Sequence, residues 1–346
     1  MRLEDFDYPL PEELIAQEPL ARRDASRLLV LHRADGHVEH RSFRDVLQYL
    51  LPGDLLVLND AKVIPARLLG KKVDTGGKVE LVLTLPLGDP MGTTWRCIGQ
   101  ASKAIRAGMR LDFGGMRAEV LAAHGDGAYD VRFEAQDFGK ELERVGKIPL
   151  PPYIKRDPDA SDAERYQTVF ARRPGAAAAP TAGFHFTEAL LDEIQQKGVG
   201  IARVTLYVGA GTFLPIRAEV IEQHKMHAER YEVPPGAAEA IAKTRAAGGR
   251  IIPVGTTALR TLESAWSEEN GGGVRAGEGT SELFVYPGYR FRVADALITN
   301  FHLPKSTLLL LVSALAGRER ILAAYREAVE RHYRFFSYGD AMLIVD

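Results

Sequence analysis

The chain has 346 residues, of which 46% are hydrophobic and 26% charged, and it contains one cysteine. This composition supports a sizeable core in about two domains and excludes intrachain disulfides and cysteine-rich zinc clusters. The formal net charge of −2 excludes a protein that coats nucleic acid through overall positive charge. The amino terminus, MRLEDFDYPL, is acidic, and the longest apolar run, Leu308–Val312, is short. These features indicate neither a signal peptide nor a membrane span, so we expect a cytoplasmic protein.

The amino-terminal part contains an apolar strand, DLLVL (54–58), which ends at Asn59 and Asp60. From about Lys71 to Pro149, short apolar runs alternate with Gly, Asp and Pro clusters. Their spacing, roughly eight to twelve residues, is typical of antiparallel strands connected by hairpins. This stretch is therefore predicted to form a small β-barrel-like domain.

Beyond residue 150 the pattern changes to alternating helices and strands. Helices are predicted at 187–198, 237–249, 257–265, 306–317 and 319–333, and strands at 200–211, 250–256 and 293–303. Such alternation favours an α/β fold, a mostly parallel sheet with flanking helices. We predict a discontinuous α/β catalytic domain, residues 1–70 and 150–346, with an antiparallel β-barrel-like domain, residues 71–149, inserted into it.

Polar residues follow the predicted strands, and ligands of open α/β sheets bind beyond the carboxyl ends of the strands. The residues at these positions are Asn59, Asp60 and Lys62; Gly209, Gly211 and Thr212; Thr256 and Thr257; and Asn300 and His302. Thr256 or Thr257 would cap a helix whose free amides suit an anion or a carboxylate. None of these segments matches a dinucleotide or Walker fingerprint, so the pattern predicts a pocket without naming its ligand.

Two histidine motifs allow more than one interpretation. His185 in APTAGFHFT is a core residue, a metal ligand or an acid/base group in a pocket. The segment HKMH (224–227) would place two imidazoles on one face if it is helical, which suits zinc, but no third ligand is marked by spacing. A polar binding or surface role is the alternative for this segment.

Basic doublets are the candidates for a local RNA-binding surface. They are Arg22–Arg23, Lys71–Lys72, Lys155–Arg156 and Arg172–Arg173. Each doublet is either a solvated surface pair or a contact to phosphate.

Taken in order, the most distinctive blocks resemble the S-adenosylmethionine:tRNA ribosyltransferase-isomerase family of queuosine biosynthesis. These blocks are DFDYPLPEELIAQEPL, RDASRLLVL, GDLLVLNDAKVIPARLLG, LPPYI, RYQTVFA, APTAGFHFT, VTLYVGAGTF, HKMHAE, VGTTALRTLE, YPGY, DALITNFHLPKSTLLLLVSALAG and YRFFSYGDAMLI. The likeness runs from residue 5 to about residue 344 and is weakest over 71–147. Tyr207 stands where the family leads us to expect histidine.

The resemblance implies an enzyme that transfers the ribosyl part of S-adenosylmethionine to 7-aminomethyl-7-deazaguanine at the wobble position of a tRNA anticodon. The ribose is isomerised, giving epoxyqueuosine, and adenine and methionine leave. The family's two-part architecture, an α/β part and a β-barrel part, agrees with the pattern read from the residues. Neither a metal nor a cofactor beyond S-adenosylmethionine is implied, and we expect a monomer.

The reaction needs a base for the hydrogens beside the sulfonium, an acid for adenine and an acceptor for the proton of the substrate amine. The resemblance implies His185, His302 and Asp60 as catalytic residues. It implies these substrate-binding residues: Asn59, Lys62, Arg67, Thr181, Gly183, Gly209, Gly211, Thr212, His224, His227, Thr256, Thr257 and Asn300. Two alternatives remain: an RNA methyltransferase, which would release S-adenosylhomocysteine, and a non-catalytic RNA-binding protein.

Overall fold

The computed structural model describes residues 1–89, 91–209 and 220–346. The strands in these ranges are, in chain order, β1 (Arg27–His32), β2 (Val38–Ser42), β3 (Leu55–Asn59), β4 (Ala61–Val63), β5 (Arg67–Lys72), β6 (Lys78–Pro86), β7 (Thr94–Ala101), β8 (Arg110–Phe113), β9 (Met116–Ala123), β10 (Ala128–Glu134), β11 (Gly146–Lys147), β12 (Arg173–Ala176), β13 (Gly200–Leu206), β14 (Glu229–Val233), β15 (Ile251–Val254), β16 (Trp266–Ser267), β17 (Gly273–Val274), β18 (Gly277–Ser281), β19 (Leu297–Asn300) and β20 (Ala341–Val345).

Five of the eight described α-helices were predicted from the sequence, and they begin and end within about three residues of the predicted limits, whereas the other three were not predicted. The eight helices are α1 (Val46–Tyr49), α2 (Phe138–Val145), α3 (Asp162–Arg165), α4 (Glu188–Gln196), α5 (Pro235–Ala246), α6 (Gly255–Ser264), α7 (Thr307–Ala316) and α8 (Arg318–Glu330). The predicted cap of α6 is wrong, because this helix begins at Gly255 and no side chain caps it. Thr256 and Thr257 therefore belong to its first turn.

Nine of the described strands form one mixed sheet in the order β18-β14-β13-β3-β15-β19-β20-β1-β2. The central strands β13, β3, β15 and β19 are parallel, as are β20 and β1. The pairs β1–β2, β13–β14, β14–β18 and β19–β20 are antiparallel. The α/β fold class is thus confirmed, but the sheet is mixed rather than mostly parallel: four of its pairings are parallel, three of them at the centre, and four are antiparallel.

Helices cover both faces of the central strands, which explains their apolar sequences. In β3, Leu56 and Leu58 pack into a core beside α4, whereas Leu55 and Val57 pack into a second core beside α5 and α6. Every residue of β3 is buried, as expected for a strand covered on both faces.

The stretch between β4 and α3 contains the predicted barrel. Strands β5, β6, β7, β10, β9 and β8 pair in that order, and the β5–β8 pairing closes the ring. The short strand β11 also pairs with β5. Alternate residues of β6, including Val79, Leu81 and Leu83, point into the barrel core with Trp95. The barrel-like fold is confirmed, and its strands extend from Arg67 to Lys147; the domain limits at 70/71 and 149/150 stay a prediction.

The topology brings the carboxyl ends of several strands together at one edge of the sheet. Since β13, β3, β15 and β19 are parallel, their carboxyl ends lie at the same edge of the sheet, and α6 begins directly after β15. No described helix is both long and apolar enough to cross a bilayer.

Candidate active site

A cavity of about 400 Å³ lies at the carboxyl edge of the sheet, where β15 and β19 end. Its walls come from the start of α6, residues 299–308, the segment 178–182 and residues 336–337. Five residues predicted from the sequence line it together: Thr181, Thr256, Thr257, Asn300 and His302. The volume lies within the range of about 300–1,000 Å³ that is typical of small-molecule sites.

His302 is the histidine that lines this cavity. It is buried, and its Nε2 lies 2.9 Å from the Thr299 hydroxyl oxygen. Its backbone is held by the Tyr8 hydroxyl, which donates to the His302 carbonyl, and by the Tyr325 hydroxyl, which accepts from the His302 amide. Burial lowers the pKa of His302 to about 3, so the ring is neutral at physiological pH.

His185 lies behind the cavity wall, in contact with Asn300. Its Nδ1 is 2.7 Å from the Ser26 hydroxyl oxygen, and its Nε2 is 3.3 Å from Nδ2 of Asn300. The ring packs on Phe43, with 5.0 Å between the ring centroids. Burial first, and the positive charges of Arg23 and Arg334 second, lower the pKa of His185 to about 3.

The two phenylalanines around His185 belong to two separate apolar cores. Phe186 packs with Phe43 in the core beside α4, and Phe184 packs against Tyr166 and Tyr338. Gly183 is required by packing, because a Cβ there would lie 2.6 Å from the ring of Phe170. The FHF sequence thus fixes His185 between these cores.

A buried ion pair that the sequence reading missed stands beside the cavity. Arg260, on α6, lines the cavity and donates from Nη1 to Oε2 of Glu229 at 2.6 Å. The side chains of Arg260 and Glu229 are 4% and 5% exposed. One signal could have indicated Arg260, since it follows Thr256 by four residues and therefore lies on the same face of the helix.

The predicted residues after β3 take part in other contacts. The side-chain amide of Asn59 bonds the backbone of Leu206 on β13 twice: Nδ2 donates to the Leu206 carbonyl, and Oδ1 accepts from the Leu206 amide. The buried Asp60 accepts from the Thr205 hydroxyl at 2.7 Å. Lys62 is exposed, and Arg67 pairs with Glu80 on the barrel. None of the four predicted residues, Asn59, Asp60, Lys62 and Arg67, is among the described residues that line the cavity.

The glycine segment after β13 approaches the buried ion pair. The Gly209 amide donates to Oε1 of Glu229 at 3.1 Å, and a Cβ at Gly209 would lie 3.2 Å from the Thr84 carbonyl oxygen. Two further predicted residues, Gly211 and Thr212, lie outside the described residues.

The HKMH segment is not helical, so the helical argument for placing two imidazoles on one face does not apply. His224 packs edge-on against Phe284 at 5.1 Å between ring centroids, and His227 is exposed. Burial and the neighbouring His227 lower the pKa of His224. In the described part of the chain, no group of three or more His, Cys, Asp or Glu residues has the arrangement of a metal site.

The comparisons with known proteins cover the sheet and the barrel together. A family model described as "Queuosine biosynthesis protein" matches residues 3–344. Proteins named S-adenosylmethionine:tRNA ribosyltransferase-isomerase are similar over the whole chain. One from Anaeromyxobacter sp. (strain Fw109-5) is 61% identical, with 99% of each chain covered. One from Trichlorobacter lovleyi is 52% identical, with 100% of each covered. The solved structure of S-adenosylmethionine tRNA ribosyltransferase from Thermotoga maritima is 40% identical, with a TM-score of 0.56 over 99% of this chain and 100% of that chain.

Proposed function

The chain belongs to the S-adenosylmethionine:tRNA ribosyltransferase-isomerase family of queuosine biosynthesis, and from this premise we propose how its cavity carries out the reaction. The enzyme transfers and isomerises the ribosyl moiety of S-adenosylmethionine onto 7-aminomethyl-7-deazaguanine at the tRNA wobble position. Epoxyqueuosine, adenine and methionine are the products. The observation that supports the cavity as the site is its position at the carboxyl edge of parallel strands, with a volume of about 400 Å³ and His302 in its wall.

His302 is the proposed base for the hydrogens on the carbon next to the sulfonium. The positive sulfur acidifies these hydrogens, and a base must be neutral to accept a proton. The lowered pKa keeps His302 neutral. If Nε2 donates to Thr299, Nδ1 carries the lone pair, and no described residue hydrogen-bonds to it. The ring can then accept a proton at Nδ1 without disturbing Thr299.

His185 is proposed to act through Asn300 rather than on the substrate itself. Both ring nitrogens have protein partners, Ser26 and Asn300, and His185 does not line the cavity. Asn300 does line it, and it also accepts at Oδ1 from the Thr181 hydroxyl at 3.4 Å. His185 is thus a positioning residue that orients the Asn300 amide.

Asp60 is not among the described residues that line the cavity, and it remains the proposed acceptor for the proton that the amine of the tRNA base loses. Its Oδ1 is bound by Thr205, and its Oδ2 has no hydrogen-bond partner among the described residues. A buried carboxylate with a free oxygen is suited to accept a proton. Gly209, which ends the described segment after β13, is proposed to contact the substrate with the residues that follow it.

The experiment that tests the function follows the small products. The enzyme is incubated with S-adenosylmethionine and tRNA that carries the aminomethyl base, and adenine, methionine and S-adenosylhomocysteine are quantified by mass spectrometry. We expect one adenine and one methionine per tRNA modified, and none with tRNA that carries guanine at the wobble position. S-adenosylhomocysteine as the product would identify a methyltransferase, and binding without turnover would identify an RNA-binding protein.

We also propose a cytoplasmic monomer that needs no metal and no cofactor besides S-adenosylmethionine. The single cysteine, buried in the barrel, suits a reducing compartment. Three of the exposed large hydrophobic side chains of the described residues, Leu51, Leu69 and Leu121, lie on different segments, the one after α1, β5 and β9, and single exposed apolar residues do not indicate an interface. Light scattering on the purified protein tests the oligomeric state.

A further inference from the structure

The start of α6 forms one wall of the cavity. Gly255, Thr256 and Thr257 all line it, and no side chain caps the helix. The first amides of an α-helix have no partner within the helix and carry a partial positive charge. Gly255 has φ of +89°, a conformation that favours glycine and lets the backbone turn directly from β15 into α6.

Arg260 supplies an independent indication that an anion binds there. Its side chain is 4% exposed, and it lines the cavity one turn beyond Thr256. Nη1 donates to Glu229 and Nε donates to the Leu283 carbonyl. Nη2 is buried and has no hydrogen-bond partner among the described residues. An unpartnered buried N–H of a guanidinium is costly unless a ligand pairs with it.

A second unpartnered donor lies on the same helix. The Thr257 hydroxyl is buried and also has no partner among the described residues, while its carbonyl is bound by the Thr261 hydroxyl. Lys305 is the other permanent cation among the described residues that line the cavity, but it is 42% exposed and paired with Asp7. The buried, unpaired donors are therefore those of α6.

The charge balance around Arg260 and the start of α6 suits a ligand group with a single negative charge. Glu229 already balances the charge of Arg260, so the start of the helix adds about half a positive charge to a neutral pair. A carboxylate matches that balance better than a doubly charged phosphate. An arginine can bind two carboxylates at once because its five N–H groups point in different directions.

We propose that the start of α6, with Nη2 of Arg260 and the Thr257 hydroxyl, binds the carboxylate of the methionine part of S-adenosylmethionine. This inference rests on the proposed function, since it takes S-adenosylmethionine as the occupant of the cavity. The carboxylate anchors the end of the co-substrate that is released as methionine. The sulfonium and the ribose then extend across the cavity towards His302.

The test compares two ligands, S-adenosylmethionine and its decarboxylated analogue, which keeps the sulfonium, the adenosine and an amine. Dissociation constants are measured by calorimetry for the wild type, Arg260→Lys and Thr257→Val. Arg260→Lys keeps a cation beside Glu229 but removes the Nη2 group that is proposed to bind the carboxylate. Thr257→Val removes the hydroxyl and keeps the size of the side chain. Matched controls are Arg326→Lys, at an exposed position of α8, and Thr244→Val on α5.

We expect Arg260→Lys and Thr257→Val to weaken S-adenosylmethionine about 10- to 100-fold, the effect of losing a hydrogen bond to a charged group. The analogue should bind both variants within about twofold of its affinity for the wild type, and the controls should leave both ligands unaffected. Equal weakening of both ligands, no weakening of either, or weakening of tRNA alone would overturn the proposal. If Arg260→Lys fails to fold, Thr257→Val decides.

Failure of the inference and failure of the proposed function give different results. If the wild type releases adenine and methionine but the variants do not distinguish the two ligands, the carboxylate binds elsewhere and the function stands. If the wild type binds no S-adenosylmethionine or forms S-adenosylhomocysteine, the function itself is wrong, and the carboxylate proposal falls with it.

Discussion

The side-chain amide of Asn300 links the cavity to His185, and it fixes which nitrogen of the imidazole carries the proton. Nδ2 of Asn300 donates to the Phe336 carbonyl oxygen at 3.1 Å, an atom that can only accept. The same Nδ2 lies 3.3 Å from Nε2 of His185, which must therefore be unprotonated. Nδ1 of His185 then donates to the Ser26 hydroxyl. Protonating His185 would place an N–H at Nε2 facing the N–H of Asn300, with no acceptor between them. This explains why the neutral ring is favoured.

The first prediction is that the protein loses stability in mild acid through its two buried histidines. The pKa of each is lowered from 6.5 to about 3 by folding, so between these values the unfolded chain binds more protons. Stability is then fully present above pH 6.5 and falls as the pH decreases. Each histidine should reduce the free energy of unfolding by about 1.4 kcal/mol between pH 7.5 and pH 5.5.

Urea unfolding at the two pH values measures this loss. His185→Gln and His302→Gln should each reduce the difference between pH 7.5 and pH 5.5 relative to the wild type, because glutamine does not titrate. The exposed His37, changed to Gln, serves as the control. A His185→Gln variant whose stability depends on pH as strongly as that of the wild type would show that His185 is not buried as a neutral ring.

The second prediction concerns turnover and His302. His302→Gln should lower kcat by a factor of about 10² to 10⁴, the range for removing a general acid or base. The fold should persist, because glutamine is of similar length and can still bond Thr299. Single-turnover rates at saturating substrates and the melting temperature are measured together. Turnover near that of the wild type in the folded protein would remove His302 from proton transfer.

The third prediction separates positioning from proton transfer at His185. Glutamine at this position can still accept from Nδ2 of Asn300, whereas leucine cannot. If His185 only orients Asn300, His185→Gln should keep kcat within about tenfold, and His185→Leu should lose a further 10- to 100-fold because one of the two N–H groups of the Asn300 amide loses its acceptor while the other stays on the Phe336 carbonyl.

Equal losses of 10² or more in both folded variants would instead show that the imidazole itself transfers a proton. The double variant of His185→Gln and His302→Gln adds a second criterion. Residues that work as one proton-handling unit give a combined loss much smaller than the product of the single losses. Independent contributions would multiply.

The sequence predicted the fold where local pattern and burial agree. The uninterrupted apolar run of β3 and the amphipathic helix α4 follow from periodicity, and the barrel follows from hairpin spacing. The antiparallel strands β14 and β18, at one end of the sheet, were missed, since their sequences, ERYEV and GEGTS, carry no continuous apolar pattern. Their pairing is decided by the neighbouring strands.

The lining of the cavity was also predicted only in part, because local pattern reveals strand ends but not contacts between distant segments. Residues at strand ends could be identified, so Thr256, Asn300 and His302 were found. The Arg260–Glu229 pair was not, because its partners are 31 residues apart and meet only in the folded chain. The lining residues Phe336 and Ser337 likewise come from a loop far along the chain.

The fourth prediction is that activity survives exhaustive chelation. The proposed chemistry uses imidazole, carboxylate and amide groups, and none of its steps needs a metal. Turnover is measured after dialysis against EDTA and a zinc-specific chelator, with metal content determined by mass spectrometry. Loss of activity that zinc restores would assign a ligand role to His224 and His227 after all. A His227→Gln variant would then lose the bound metal.

The last prediction concerns the surface of the protein that binds tRNA. In the folded chain, most side chains of the basic doublets have hydrogen-bonding or ionic partners within the protein. Nζ of Lys72 is held by two carbonyls, those of Lys103 and Ala104. Side chains from three other doublet positions form ion pairs: Lys155 with Glu12, Arg156 with Asp162 and Arg173 with Glu232. Arg22 pairs with Asp24, and Arg23 donates to carbonyls of Phe184 and Glu164.

Lys71 and Arg172 are exposed, and neither side chain has a partner among the described residues. They are therefore the doublet residues best able to bind phosphate. Lys71→Ala and Arg172→Ala should each weaken tRNA binding and reduce its salt dependence by about one unit of slope on a logarithmic plot. Arg173→Ala, which removes a paired arginine, should leave that slope nearly unchanged. Filter binding at four salt concentrations measures the slope for each variant. A slope that stays at the wild-type value when Lys71 and Arg172 are both replaced would show that the tRNA binds another face of the protein.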